Sequence, residues 1–259
     1  MERIFTDQMN RTVCLEGKPK RIVSIVPSQT ELLFDLGLEK EVVGITKFCV
    51  HPDNWFRTKQ RVGGTKQLNI EIIRQLAPDL IIGNKEENSI ADIEQLESIA
   101  PVWMSDIYSL EDALEMIRRV GELTGTEEGA NTMVHEISQG FERLNEGNVQ
   151  RTFLYFIWKD PDYVAGTRTF IHAVLESAGF VNHCRDERYP EWSPRYGEPD
   201  VIFLSTEPYP FKEEHISLFR TRFPGSEIFL VDGEMCSWYG SRMLQSLEYL
   251  KELQIKFSR

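Results

Sequence analysis

In the stretch RIVSIVPSQTELLFDLGL, residues 21–38, an apolar, β-branched run from Ile22 to Val26 gives way at Pro27 and Ser28 to positions Leu32, Leu33 and Leu36 at helical spacing. The first pattern predicts a buried parallel strand, the second a helix, with a polar turn between them. In open α/β sheets such a turn lies at the carboxyl edge of the strand, where backbone N–H groups and a helix N-terminus face a ligand crevice. The alternation continues: EVVGIT (41–46) reads as a strand and KFCVHPDNW as a loop. NIEIIRQLAPDLIIGN holds a helix with Ile72, Ile73 and Leu76 on one face, a stop at Pro78 and a strand over Leu80–Ile82. IADIEQLESIA reads as a helix ended by Pro101, and VWMSD as a short strand. A βαβ series of this kind builds a parallel sheet.

Thr124 and Glu127 have the spacing of a capping box, and Met133, Ile137, Phe141 and Leu144 then recur at helical spacing up to Gly147. One helix of roughly 20 residues, about 30 Å long, is predicted. Its weak points are Gly125, Gly129 and Gly140, since glycine costs about 1 kcal/mol against alanine in a helix interior. Strands and helices then alternate again through RTFLYFIW, RTFIHAVLESAGF, DVIFLST, EEHISLFRTRF, EIFLVDG and SRMLQSLEYLKEL. Each half carries a Pro-Asp-strand element, APDLIIGN in one and EPDVIFLS in the other. The expected α/β fold has two α/β lobes, 1–123 and 148–259, with central, mostly parallel sheets. A single backbone helix at 124–147 joins them, and a ligand cleft lies between the lobes.

Composition narrows the function. A net charge of −12 over 259 residues argues against nucleic-acid binding or an anionic membrane surface as partners. Cys14, Cys49, Cys184 and Cys236 show neither disulfide-framework nor zinc spacing, so reduced thiols and no metal site are expected. The start, MERIFTDQMNRTVCLEGKPKRI, has no apolar signal core, and no segment reads as a membrane span. The chain as written is therefore expected to be cytoplasmic, or periplasmic or cell-surface if it is a trimmed mature form. Nucleophile-elbow, phosphate-loop, dinucleotide and zinc-protease motifs are all missing, so no enzyme is expected.

Taken together, RIVSIVPSQTELLFDLGL, VGGTKQLNIEII, APDLIIGNKEEN, the helix near 124–146 and DGEMCSWYGSR resemble the substrate-binding proteins of ABC importers for cobalamin, haem and iron-siderophore complexes. FCVHP, GGTK, NKEEN, YFIW, STEPYPF and SWYGSR place the likeness in a cobalamin-binding-like subset. The resemblance implies a metal chelate as small-molecule ligand, a corrinoid, haem or ferric chelate, no intrinsic cofactor, an ABC permease as partner, and a monomer. It also implies an acid on each lobe for permease docking. Glu71 stands at the first place, whereas PRYGEPD is too short for the helix that would carry the second. Thr65 and Asn84 stand where cobalamin importers carry ligand-contacting tryptophans.

The candidate ligand contacts are Pro27, Ser28, Phe48, His51, Asn84, Lys85, Glu86, Trp158, Arg168, Tyr189, Tyr209, Trp238, Tyr239 and Arg242. Flat rings with polar tips suit a macrocycle or aromatic chelate; the plainer reading is that they pack the surface between the lobes. His51 and Cys49 offer an imidazole and a thiolate, against the plainer role of a loop histidine. His172 and His183 read as capping or half-buried residues. In NKEEN a solvated loop is the plainer expectation, but cleft lining, with Lys85, Glu86 and Glu87 placed to pair with Arg168 or Arg242, is favoured because the strand DLIIGN aims the loop at the same edge as Pro27 and Ser28. The rival to a binding protein is a cytoplasmic enzyme or cofactor-handling protein that reuses the fold.

Overall fold

The computed structural model describes residues 2–144 and 149–258, which fall into two compact units. The first holds the chain up to Asp106, Asp112–His135 and Tyr239–Arg242; the second holds Ile107–Glu111, Glu136–Trp238 and Met243 onward. One of the crossings between them falls within a helix, between His135 and Glu136.

The first unit opens with an antiparallel hairpin of β1 (Arg3–Thr6) and β2 (Thr12–Leu15), for which the hydrophobic pattern predicts no element. Its turn is closed by the buried Asp7, whose Oδ1 accepts the N–H groups of Met9 and Arg11. There follow β3 (Ile22–Ser24), α1 (Pro27–Asp35), β4 (Val42–Ile45), α2 (Asp53–Thr58) and β5 (Gln60–Arg61). A small β6–β7 hairpin (Gly63–Gly64, Gln67–Leu68), α3 (Ile70–Gln75), β8 (Leu80–Asn84), α4 (Ile90–Glu97) and β9 (Val102–Ser105) complete the run. Among the described residues, five strands in the order β5-β4-β3-β8-β9 form an all-parallel sheet, where mostly parallel sheets were expected. β3 and β8 are buried on both faces, which is why they read as continuous apolar runs. Val23, Ile25, Ile73, Ile81, Leu96 and Met104 form the core between sheet and helices.

The helix expected over 124–147 is present as far as the structure describes it, but it starts three residues later than expected and a second, unpredicted helix precedes it. α5 (Leu110–Thr124) and α6 (Glu127–Leu144) are separate, and Thr124 is the last residue of α5 rather than a cap. Its hydroxyl donates back to the Val120 carbonyl at 2.7 Å, Gly125 turns the chain at φ +67°, and the Thr126 N–H returns to the Gly121 carbonyl. That is a left-handed glycine stop, which outcompetes the capping-box reading because only glycine enters it without strain. Gly121 also lets the helices touch: a Cβ there would lie 2.5 Å from that of Ala130. Gly140 likewise sits against Leu247, so it is a packing position and not merely a weak one. The expected extension of the bridging helix over 145–147 lies outside the described residues.

The second unit contains β10 (Thr152–Trp158), β11 (Tyr163–Val164), α7 (Phe170–Ser177), β12 (Val181–Asn182), a 3-10 turn at Pro194–Tyr196 and β13 (Val201–Ser205). α8 (Glu213–Arg222), β14 (Glu227–Val231), α9 (Gly233–Ser237) and α10 (Met243–Phe257) follow. Among the described residues, β12, β10, β13 and β14 pair in parallel and β11 antiparallel to β10. Phe156, Leu204, Phe211, Phe219 and Phe223 lead its core.

The repeated Pro-Asp-strand element does one job in both units. Asp79 accepts the N–H groups of Lys20 and Arg21, just before β3, at 2.8 Å. Asp200 accepts the N–H and the hydroxyl of Thr152, the first residue of β10, at 2.7 Å. Each carboxylate thus ties the amino end of its own strand to that of its neighbour. The Thr152 bonds hold Asp200 below its ordinary pKa, so its contribution is present above the unfolded value and is lost as pH falls through the native one. Asp200→Ala is expected to cost about 1–2 kcal/mol at pH 7. Denaturant melts should show that deficit shrinking as the pH is taken below 4.

Candidate functional site

At the carboxyl edge of the first sheet, the loops are held by buried polar side chains. Beneath the Pro27–Ser28 turn, the Thr30 hydroxyl lies 2.7 Å from Ser24 Oγ and 3.1 Å from the Cys49 thiol, which also meets Thr46 Oγ1 at 3.1 Å. Burial pushes the Cys49 pKa up against those hydrogen bonds, which fits a neutral thiol that braces the loop, the plainer of the two readings the sequence offered. His51 itself is half-buried. Among the described residues, no three His, Cys, Asp or Glu side chains gather to hold a metal ion.

NKEEN is a closed turn. Asn84 Oδ1 accepts the N–H groups of Glu86 and Glu87, and its Nδ2 donates to Ser105 Oγ. Asn88 Oδ1 accepts the Asn84 N–H, while Nδ2 donates to the carbonyls of Ile25 and Thr65. Both asparagines are buried, and so is Thr65. Asn84 is thus committed to shaping the loop and does not offer its side chain as a ligand contact. The exposed Lys85 meets Asp106 at 2.6 Å, and Glu86 is half-buried. Glu87 keeps an accessible face, yet the protein packed around it raises its pKa, Glu86 adds to the rise, and Lys66 opposes it.

The tetrapeptide Tyr239–Arg242 lies in the first unit. Gly240, at φ +95°, passes so close to α1 that a Cβ would stand 3.3 Å from the Ser28 carbonyl. The helix start expected to face a crevice is therefore covered at Ser28 by the chain itself, while Pro27 is half-buried. The Tyr239 hydroxyl is buried beside Ser28 and Ser105, and burial raises its pKa well above the ordinary value. Arg242 pairs bidentately with Glu31 on α1 at 2.7 and 2.8 Å, both side chains buried. Burial raises the Glu31 pKa, and the Arg242 hydrogen bond and charge pull against it. Arg242 thus meets Glu31, which sequence reasoning did not name as its partner, because a buried guanidinium requires a partner that satisfies its fork in place.

In the second unit, Trp158 ends β10 and remains 42% exposed, edge-on to Tyr209 with ring centroids 5.7 Å apart. Tyr209 and Tyr189 are half-buried. Arg168 is exposed and meets Glu187 at 3.3 Å. Trp238 differs: the short helix α9, which the sequence pattern does not predict, separates it from β14, and it is buried with Nε1 donating to Glu207 Oε1 at 2.7 Å. In the first unit, Phe48 is 50% exposed on the FCVHP loop. Glu71 is exposed in the first turn of α3, whereas PRYGEPD holds only the 3-10 turn, so no helix stands at the second docking place.

Sequence reasoning missed Glu31, Asn88 and Glu207. A single acid inside the apolar TELL run and the Asn84–Asn88 spacing were the available signals. Removing one member of the Glu31–Arg242 pair should leave a buried charge without its partner. Arg242→Met is expected to cost about 3–5 kcal/mol, and the double variant with Glu31→Met to recover most of it, as read from paired chemical melts.

The sequence matches the periplasmic binding protein family model over residues 22–211. It is 29% identical over 192 residues to YvrC, an ABC transporter substrate-binding lipoprotein of Bacillus subtilis, covering 70% of this chain and 60% of that one. It is 27% identical over 209 residues to the cobalamin-binding protein of Halobacterium salinarum, covering 76% and 56%. The match thus spans less than two thirds of the length of these relatives. In fold, it is similar to the periplasmic vitamin B12-binding protein BtuF of Vibrio cholerae, with a TM-score of 0.79 at 20% identity over 93% of this chain and 98% of that one. With the family model covering most of the chain and the fold in accord, this protein belongs to the periplasmic binding protein family.

Proposed function

We propose that the protein binds a metal chelate or corrinoid and delivers it to an ABC permease. The observation that carries this reading is Trp158, a large aromatic kept accessible at the carboxyl end of a parallel strand and braced edge-on by Tyr209. Water contact at a tryptophan is unfavourable unless a ligand covers it, and the carboxyl edge is where α/β sheets place ligands. Phe48 supplies a second accessible ring at the equivalent edge of the first sheet, with Pro27, His51, Lys85 and Glu86 on the loops around it. Tyr189 and Arg168 add polar contacts in the second unit. The buried Ser28, Asn84, Trp238, Tyr239 and Arg242 act by holding these loops in shape. The names of the relatives support cobalamin-like cargo. The chelate is cargo, and no intrinsic cofactor is part of this reading.

Glu71 is the proposed permease contact in the first unit, and the work is done as a monomer on the outer side of the cytoplasmic membrane. Recovery of the untagged native protein in the cytosolic fraction would contradict that location.

Absorbance and calorimetric titration against corrinoids, haem and ferric chelates test the cargo. Binding of at least one is expected, and binding of none removes the reading. Trp158→Ala should weaken that binding by about tenfold, the loss of one stacking contact of about 1–1.5 kcal/mol, with little change in melting temperature. Trp238→Ala should instead cost about 3–5 kcal/mol of stability, as for a core tryptophan.

A further inference from the structure

We propose that Tyr209 presents its phenolic hydrogen to the bound molecule, with His215 fixing that polarity from behind, and that the site thereby selects a chelate bearing an acceptor oxygen, amide or carboxylate, on its periphery. The inference rests on the chelate-binding reading and deepens it. Trp158, Tyr209, Phe211, Lys212 and His215 all belong to the second unit.

The polarity is set at the start of α8. The Lys212 N–H donates to Nδ1 of His215 at 2.9 Å. A backbone N–H can only donate, so Nδ1 is bare, and a neutral imidazole then carries its one hydrogen on Nε2. The opposite tautomer has no place here. Nδ1 also lies 3.3 Å from the Lys212 carbonyl, but that carbonyl already accepts the His215 N–H at 2.9 Å, and a hydrogen on Nδ1 would be set against the Lys212 N–H. Nε2 faces Tyr209 Oη at 3.4 Å, so the phenol oxygen is the acceptor. A bond of that length is weak, and its effect is to give the hydroxyl a direction.

The Tyr209 ring is held where that direction matters. Phe211 stands 4.7 Å from it and His215 5.7 Å, centre to centre, while Trp158 lies edge-on at 5.7 Å. The Tyr209 N–H donates to the carbonyl of Ile157, the residue before Trp158, at 3.3 Å. The phenol is half-buried, and among the described residues no group accepts its own hydrogen. The acids that follow Trp158 are engaged elsewhere, Asp160 with Lys159 and Asp162 with Arg222. A tyrosine hydroxyl withdrawn from water ordinarily finds a partner, so this hydrogen is a donor kept for the molecule that covers Trp158. Were the imidazole the acceptor instead, Tyr209 would offer only lone pairs and favour a ligand with N–H or O–H groups.

The test titrates the full chain with dicyanocobinamide, hydroxocobalamin, ferric protoporphyrin IX and ferric citrate, and carries the tightest binder into the variants. Tyr209→Phe, which keeps the ring and loses only the hydroxyl, is expected to weaken binding about fivefold to tenfold, the size of one hydrogen bond. His215→Asn retains an acceptor for the Lys212 N–H but has nothing to reach Tyr209. It should weaken binding about threefold in the wild type, part of that same bond, and add nothing in Tyr209→Phe, with the melting temperature unchanged. A side chain that merely packs would cost the same in both backgrounds. Ferric octaethylporphyrin, which has no oxygen on its rim, should bind more weakly than ferric protoporphyrin IX, by a margin that shrinks in Tyr209→Phe. Unchanged affinity in Tyr209→Phe, an equal His215→Asn loss in both backgrounds, or octaethylporphyrin bound as tightly as protoporphyrin overturns the inference alone. Failure of every probe to bind overturns the chelate reading together with it.

Discussion

The bidentate pair between Glu31 and Arg242 joins residues 211 positions apart and is buried at both ends. It pins the late tetrapeptide onto the helix that begins the first βα unit, and the placement of Tyr239 and Gly240 over Ser28 follows from it. Burying both charges costs several kcal/mol per ion, and only a geometry that satisfies the whole fork offsets that cost. The rise in the Glu31 pKa shows desolvation outweighing the attraction of Arg242. The pair fixes the register of the tetrapeptide on α1, where Glu31 is the acid on the buried face.

The same division of labour runs through both units. Polar side chains placed by the sequence at strand ends turn inward and hold loops, as Asn84 and Asn88 do for NKEEN and Thr30 and Thr46 do for the FCVHP loop. What stays accessible is a smaller set of rings and cations, with Phe48 and Trp158 the most exposed aromatics among the candidates. Loops that carry contacts must be rigid if binding is not to be weakened by the cost of ordering them. Buried asparagines achieve this because each can satisfy three or four backbone groups at once.

Much of the fold was legible. Alternating apolar runs and helical spacings located the strands β3, β8, β9, β10, β13 and β14, since strands buried on both faces leave an unmistakable composition. The duplicated Pro-Asp element was visible too, and its carboxylates prove to tie neighbouring strands at equivalent places. The hairpin before Lys20, the helix α5 and the short α9 were not legible. The hairpin strands are only half-buried and too short to leave an apolar run, and Thr124 followed by Glu127 imitates a helix start where Gly125 imposes a stop.

For the site, residue types and chain positions determined which loops gather at the carboxyl edges and that aromatics and arginines accompany them. The sequence alone determined a two-part α/β chain with its polar turns after parallel strands, because hydrophobic periodicity reports burial directly. Only the tertiary structure decided which of those residues face inward. Ser28, Asn84, Trp238, Tyr239 and Arg242 become supports, because whether a polar side chain reaches solvent depends on partners far away in sequence, and no local pattern encodes their distance.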